Sequence, residues 1–355
     1  MRLGTSGMHT RNINHAQLNK SLLTISLLGL LLYFGKSFLV PVAIAAFFAM
    51  LLYPLVHRLQ RRKVKKPLAA FLSILLLLAV LVALGTVVYY QLRSLDADLP
   101  RLELKVTEKS RRIQDFLYQA TDLSANEQDQ IIEEKKPDIA KAVFKSIKQL
   151  LVQGLSVLLF LFIVLSYTFF FLLYQHKLHT FFVRVRWFQS QRASRVMMTR
   201  ISRIVHDYLK GTFLVIMLLS VIYALGFRAI GIEHAILFAL VTALLRLVPY
   251  FGSFLGIVFP IVFALLTKDS FWYPVLVLLF FMATQLLEAN LLTPYITGSK
   301  VKLNPLATIM AILLGNLVWG VPGMILFLPL FAILKVIFDQ IPQLEPYGYL
   351  LGKEE

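Results

Sequence analysis

The chain has 355 residues, 58% of them hydrophobic, and a mean hydropathy of +0.73. Near-continuous apolar runs at that level are membrane spans rather than soluble cores. The net charge is +17 and there is no cysteine, which excludes disulfides, thiolate metal sites and cysteine nucleophiles. The positive charge is concentrated in two short segments beside apolar runs. It therefore reads as the positive-inside bias of a membrane protein and not as a nucleic-acid surface.

In chain order, residues 1–20 form a polar, basic N-terminus with Arg2, Arg11 and Lys20, expected in the cytoplasm. The apolar run that follows has no small-residue cleavage site and leads straight into more apolar sequence, so it reads as a retained span rather than a signal peptide. Residues 21–92 hold three expected spans. The stretch 21–59 is too long for one crossing at 1.5 Å per residue, and Gly35-Lys36-Ser37 divides it near Lys36. The loop 58–66 carries six basic residues and no acid, and is expected to be cytoplasmic. A plain span over 68–91 ends in Tyr89 and Tyr90, suited to the interfacial aromatic belt.

Residues 93–148 are polar and balanced, with eleven Lys/Arg and eleven Asp/Glu. They are expected outside the cytoplasm as two amphipathic helices. Ile113, Phe116 and Leu117 mark the first by helical spacing, and Ile139, Val143, Ile147 and Leu150 the second, with Pro137 near its start. Residues 149–175 supply the next span.

Residues 176–207 carry Lys177 and six arginines, with no acid before Asp207. Met197, Met198, Ile201, Ile204 and Val205 share one helical face, opposite Arg192, Arg195, Arg200 and Arg203. This predicts a basic amphipathic helix on the anionic inner leaflet, with packing against the other spans as the second choice. His176 and His179 have a spacing seen in metal sites. No third ligand is near, so they read as interfacial histidines.

Residues 208–338 form the expected transport core. After a span over 208–227, two apolar stretches are each broken in the middle by proline and glycine. In 235–267 the break is Pro249-Tyr250-Phe251-Gly252-Ser253, with Gly256 after it. In 304–338, following Pro305, it is Gly320-Val321-Pro322-Gly323. Each arm of the first is about 20 Å as helix, short of the roughly 30 Å hydrocarbon core. Re-entrant helical hairpins fit best, two tilted spans in place of either hairpin being the alternative that charge bias does not separate, and paired interrupted segments point to a transporter's site. Between them a span over 271–292 carries Gln285, Glu288 and Asn290, followed by Pro294 and Gly298. A carboxyl in hydrocarbon costs several kcal/mol unless it faces a partner or a wet cavity. The tail 339–355 is expected to be cytoplasmic. The fold class expected is therefore all-α: a polytopic membrane protein of about seven or eight hydrophobic segments, two of them broken hairpins.

Tyr208-Leu-Lys-Gly211, Leu247-Val-Pro-Tyr-Phe-Gly-Ser-Phe-Leu-Gly256, and Gln285-Leu-Leu-Glu-Ala-Asn290 are followed by Pro294, Val301, Leu303, Pro305, Gly315, Trp319-Gly320, Gly323 and Pro329-Leu330. This series resembles the AI-2E (autoinducer-2 exporter, PerM-like) transporters. The likeness spans nearly the whole chain and is specific from Tyr208 onward. It implies a multi-pass protein of the bacterial inner membrane that assembles as a homo-oligomer. It also implies export of a signalling furanone in some members and sodium/proton exchange in others. Many relatives have His-Pro where this chain has Asn304-Pro305. Asn carries no titratable proton, which sets this chain apart in any proton-coupled role of that position.

The expected pathway residues are Glu288, Asn290, Gln285, Arg246 and Asn304. Glu288 shares a helical face with Gln285. It either binds a cation or shuttles a proton in a wet cavity, or pairs with Arg246, Lys300 or Lys302 to fix the packing. Asn290 and Asn304 suit a hydroxyl-bearing solute or a backbone lock. Arg246 either attracts a polar solute or anchors among headgroups. Gly252, Gly320 and Gly323 at the breaks are hinge candidates, and Gly256, Gly298 and Gly315 read as packing positions. The partners expected are the lipid bilayer, a small polar solute, and Na+ or H+; no cofactor, metal or nucleic acid is implied. No phosphate-binding loop occurs, so a gradient must supply the energy. No H-E-x-x-H, intramembrane aspartate pair or Ser/His set suggests an enzyme. The rival reading is a scaffold that acts through 93–148 and moves no solute.

Overall fold

The computed structural model describes residues 15–120, 154–184, 191–248, 251–297 and 303–353. All regular elements among them are helical; the only extended pairing among the described residues is an isolated bridge between Leu303 and Gly352. In chain order they are α1 (His15–Phe34), α2 (Lys36–Arg61), α3 (Lys66–Ala120), α4 (Gly154–Arg184), α5 (Gln191–Ile230), α6 (Ala235–Leu245), α7 (Phe251–Thr267) and α8 (Trp272–Leu287). Helix α8 runs on into a π-helical segment, Glu288–Thr297. Then come α9 (Pro305–Trp319), α10 (Val321–Phe338) and a short α11 (Glu345–Leu351). Among the described residues, six helices are long and apolar enough to cross a membrane. The protein is an all-α polytopic membrane protein.

Three local features differ from the sequence reading. Helices α1 and α2 meet at one residue, Gly35. Helix-type hydrogen bonds, Gly35 N–H to Leu31 O and Leu39 N–H to Gly35 O, continue across it, whereas an antiparallel helical hairpin takes a loop of about two to five residues. The joint is therefore a corner within one long apolar element. Helix α3 does not end with its apolar part. It continues for 55 residues to Ala120, because residues 93–112 contain no proline or glycine except Pro100 and are rich in helix-forming Leu, Glu, Lys and Arg. The second amphipathic helix expected over 137–150 lies outside the described residues.

The third difference concerns the basic amphipathic stretch. It is the first half of α5, a single 40-residue helix. Its apolar face is not turned to lipid: Met197, Ile201 and Val205 are buried against Phe47 of α2 and Leu326 and Val336 of α10. Arg192, Arg195, Arg200 and Arg203 are exposed on the other face. Burying that stripe inside the protein satisfies the same apolar periodicity as an inner leaflet would.

Helix α5 is the mast of the fold. Its second half (Val215, Leu219, Tyr223 and Phe227) forms the largest core with α6, α7, α8 and Leu95 of α3. A separate core joins α2, the start of α3 and Leu172 of α4. The two broken hairpins thus dock on different halves of α5. Val205 and Val215, one facing each hairpin, are about 15 Å apart along the helix.

Candidate functional site

Helix α6 has eleven residues, about 16 Å of rise, shorter than the roughly 30 Å hydrocarbon core of a bilayer, and Arg246 follows its last residue. Helix α7 returns beside it. Thr242 Oγ1 donates to Gly256 O across the hairpin at 2.8 Å, and a Cβ on Gly256 would meet Thr242 Cα at 2.8 Å. At Gly252 an added Cβ would collide with the carbonyl of Leu245. Both glycines are thus required for the two arms to approach. Pro249, at the tip, lies outside the described residues.

At this tip the arginine collects partners from three elements. Arg246 Nη2 is ion-paired with Glu288 Oε1. Its Nη1 donates to Gln285 Oε1 at 2.7 Å and to Ser253 Oγ at 3.1 Å. The Glu288 side chain is 4% exposed and that of Arg246 23%. Tyr223 of α5 lies within electrostatic reach of Arg246. Its hydroxyl is buried with no hydrogen-bond partner among the described residues, and its ring stacks with Phe227 and Phe281. A buried ion pair is retained only with good geometry and further hydrogen bonds, and Gln285 and Ser253 supply them. Of the three cations that could have paired with Glu288, the structure brings Arg246; Lys300 and Lys302 lie outside the described residues.

Glu288 is also where α8 changes to π-helix. A π segment widens the turn and is frequently found at functional sites. Asn290 lies on the exposed side, its Nδ2 donating to Leu286 O four residues back at 2.9 Å, and does not join the cluster. Pro294 falls within the π segment and Gly298 lies outside the described residues.

Asn304 and Pro305 belong to a different junction. Asn304 is the N-cap of α9: its Oδ1 accepts from Ala307 N–H at 2.7 Å, while Pro305 occupies the first turn, where no amide hydrogen is needed. Asn304 Nδ2 donates to Leu350 O at 2.7 Å and its N–H to Leu351 O at 3.0 Å. The residue therefore straps the C-terminal helix α11 to the start of α9. In the second hairpin, Gly315 and Gly323 allow backbone-to-backbone contact between α9 and α10. Gly320 turns the chain at φ +65°, ψ −142°, a region open essentially to glycine alone.

Sequence reasoning missed Ser253 and Tyr223 as members of the site. Ser253 is signalled by its place seven residues after Arg246 across a predicted tip; a tyrosine in a plain span carries no such signal. No cluster of three or more potential metal ligands occurs among the described residues. His176 and His179 are exposed. His176 lines an open basic groove of about 550 Å³ with Lys177, Thr180, Phe181 and Arg184.

The profile of a family described as AI-2E family transporter matches residues 22–343. The AI-2 transport protein TqsA of Escherichia coli K12 is 25% identical over 308 residues, 86% of this chain and 87% of its own length. The YhhT protein of the same organism is 24% identical over 339 residues, 95% and 94% of the two chains. YrrI of Bacillus subtilis 168 is 33% identical over 131 residues, 37% of this chain and 36% of its own.

Proposed function

Because the chain belongs to the AI-2E family of transporters, we propose that it is a secondary transporter of the bacterial inner membrane in which the Arg246–Glu288 pair is the gate at the tip of the α6–α7 hairpin. The observation that carries this reading is that pair: a charged link, held almost out of water, between a short broken hairpin and a helix that turns π at the same residue. The cargo is a small polar solute of the autoinducer-2 type, exported, or a cation exchanged for protons. The name of TqsA supports the first; a buried carboxylate that can exchange a proton for a cation supports the second. In the closed state Arg246 is occupied by Glu288, Gln285 and Ser253. A solute hydroxyl, a cation or a proton competing for the carboxylate frees the tip, and the hairpin rocks about the second half of α5. Positive-inside bias puts the loop 58–66 and the C-terminal tail in the cytoplasm. The working unit is a homo-oligomer in lipid.

Purified protein in liposomes tests this. Wild type is expected to move a furanone-type solute, or Na+ against H+, faster than protein-free vesicles. Glu288→Gln is expected to lower that flux about tenfold or more, since a hydrogen bond to a charged group contributes about 1.5–3 kcal/mol. Equal flux for folded wild type and Glu288→Gln takes the pair out of the mechanism. No flux of either kind from wild type returns the chain to the scaffold reading.

A further inference from the structure

The extension of α3 beyond its apolar part reaches both outer ends of the α6–α7 hairpin. Leu95 is buried in the hairpin's core. One turn on, Asp98 Oδ2 lies 3.1 Å from Nε2 of His234, the residue that precedes α6. Two turns further, Lys105 Nζ donates to Thr267 O, the last residue of α7, at 3.1 Å. One continuous helix therefore touches the entry of the first arm and the exit of the second. Among the described residues these contacts lie at the end of the hairpin opposite the Arg246 tip.

We propose that this part of α3 is a clamp on the hairpin, and that the clamp tightens when His234 is protonated. His234 is held in the left-handed region at φ 56°, where non-glycine residues are uncommon. Its side chain is 7% exposed, with the ring edge-on to Phe263 at 5.8 Å. Among the described residues, the charged groups on the elements next to it are Asp98 and Lys105 on α3, Arg228 near the end of α5, Glu233 beside it in the chain, and Lys268 and Asp269 after α7, the Arg228 and Asp269 side chains being exposed. Lys268 faces Glu233 at 3.7 Å and lies over the ring of Tyr273 of α8. An imidazolium at 234 gains an attraction to Asp98 that neutral imidazole lacks, and Glu233 acts in the same direction. Lys105 and Lys268 oppose it, but Lys105 is held on Thr267 O and Lys268 is drawn to Glu233. Histidine is the side chain that ordinarily changes charge between about pH 5 and 8. Acid therefore closes the clamp and alkali loosens it. The clamp stands without the transport reading; only its effect on flux rests on that reading.

Hydrogen exchange of the full-length protein in nanodiscs, corrected for intrinsic rates, tests the clamp. Amides of residues 232–240 are expected to exchange about two- to fivefold faster at pH 8 than at pH 5, the range of a half-exposed ion pair. His234→Asn, which tolerates the left-handed backbone and does not titrate, is expected to remove that pH dependence. Asp98→Asn is expected to exchange fast at both values. A pH dependence unchanged in His234→Asn, or slow exchange at pH 5 in Asp98→Asn, overturns the proposal; should His234→Asn not fold, Asp98→Asn decides alone. If exchange responds as expected while a measured flux does not depend on pH, the clamp holds and its link to transport fails.

Discussion

At the scale of single residues, the buried Arg246–Glu288 pair is a costly arrangement and hence informative to remove. Deleting one partner leaves the other charge buried, which costs about 3–5 kcal/mol. Removing both leaves no orphan. Glu288→Ala and Arg246→Ala are each expected to lower the thermal midpoint in detergent, and the double variant by less than the sum of the two; additive losses in a double-mutant cycle would refute direct coupling. Asn304 is used differently. Asn304→Ala is expected to lose about 0.5–2 kcal/mol of helix capping and, in addition, to release α11. Limited proteolysis should then cut near residues 340–353 before any other described segment; unchanged protection would mean the apolar contacts of Leu351 hold the strap alone.

At the scale of elements, the two faces of the first half of α5 make opposite predictions. Ile201 is buried and Arg200, next to it, is exposed. Ile201→Glu is expected to abolish folding, measured as loss of a monodisperse elution peak, because an unpaired carboxylate enters the core with α2 and α10. Arg200→Glu is expected to fold. A helix resting on lipid would not separate the two variants so sharply, since a glutamate at an interface can reach water. In the second hairpin, Gly315→Val is expected to be unfolded or strongly destabilised, because even a Cβ there would meet the carbonyl of Gly323.

At the scale of the whole molecule, two cores sit on the two halves of one long helix, α5, and a third lies between α2, α3 and α4, with exposed leucines and phenylalanines outside them. Among the described residues the two hairpins share α5 and not a common core: each packs on its own half of the mast. The chain has no cysteine, so single cysteines report topology without prior removal of others. Lys63 and Glu108 lie on either side of the apolar span Lys66–Leu95 of α3. An impermeant maleimide added to intact cells is expected to label the Glu108→Cys variant and not the Lys63→Cys variant; labelling of both from one side would exclude α3 as a crossing.

Residue chemistry alone determined that this is a polytopic helical membrane protein. It also located the broken hairpins and marked Glu288 as a carboxyl in need of a partner, because hydropathy, proline and glycine act locally and through a solvent known in advance. Which cation answers Glu288 depends on how far apart α6 and α8 pack, and no spacing in the chain encodes that distance. The same holds for the stripe on α5, whose periodicity is equally satisfied by lipid or by α2 and α10, and for Asn304, which caps its own helix locally but holds α11 only because the tail returns to it. Tertiary structure decided these points because each turns on which surface, among several of equal polarity, arrives first at contact distance.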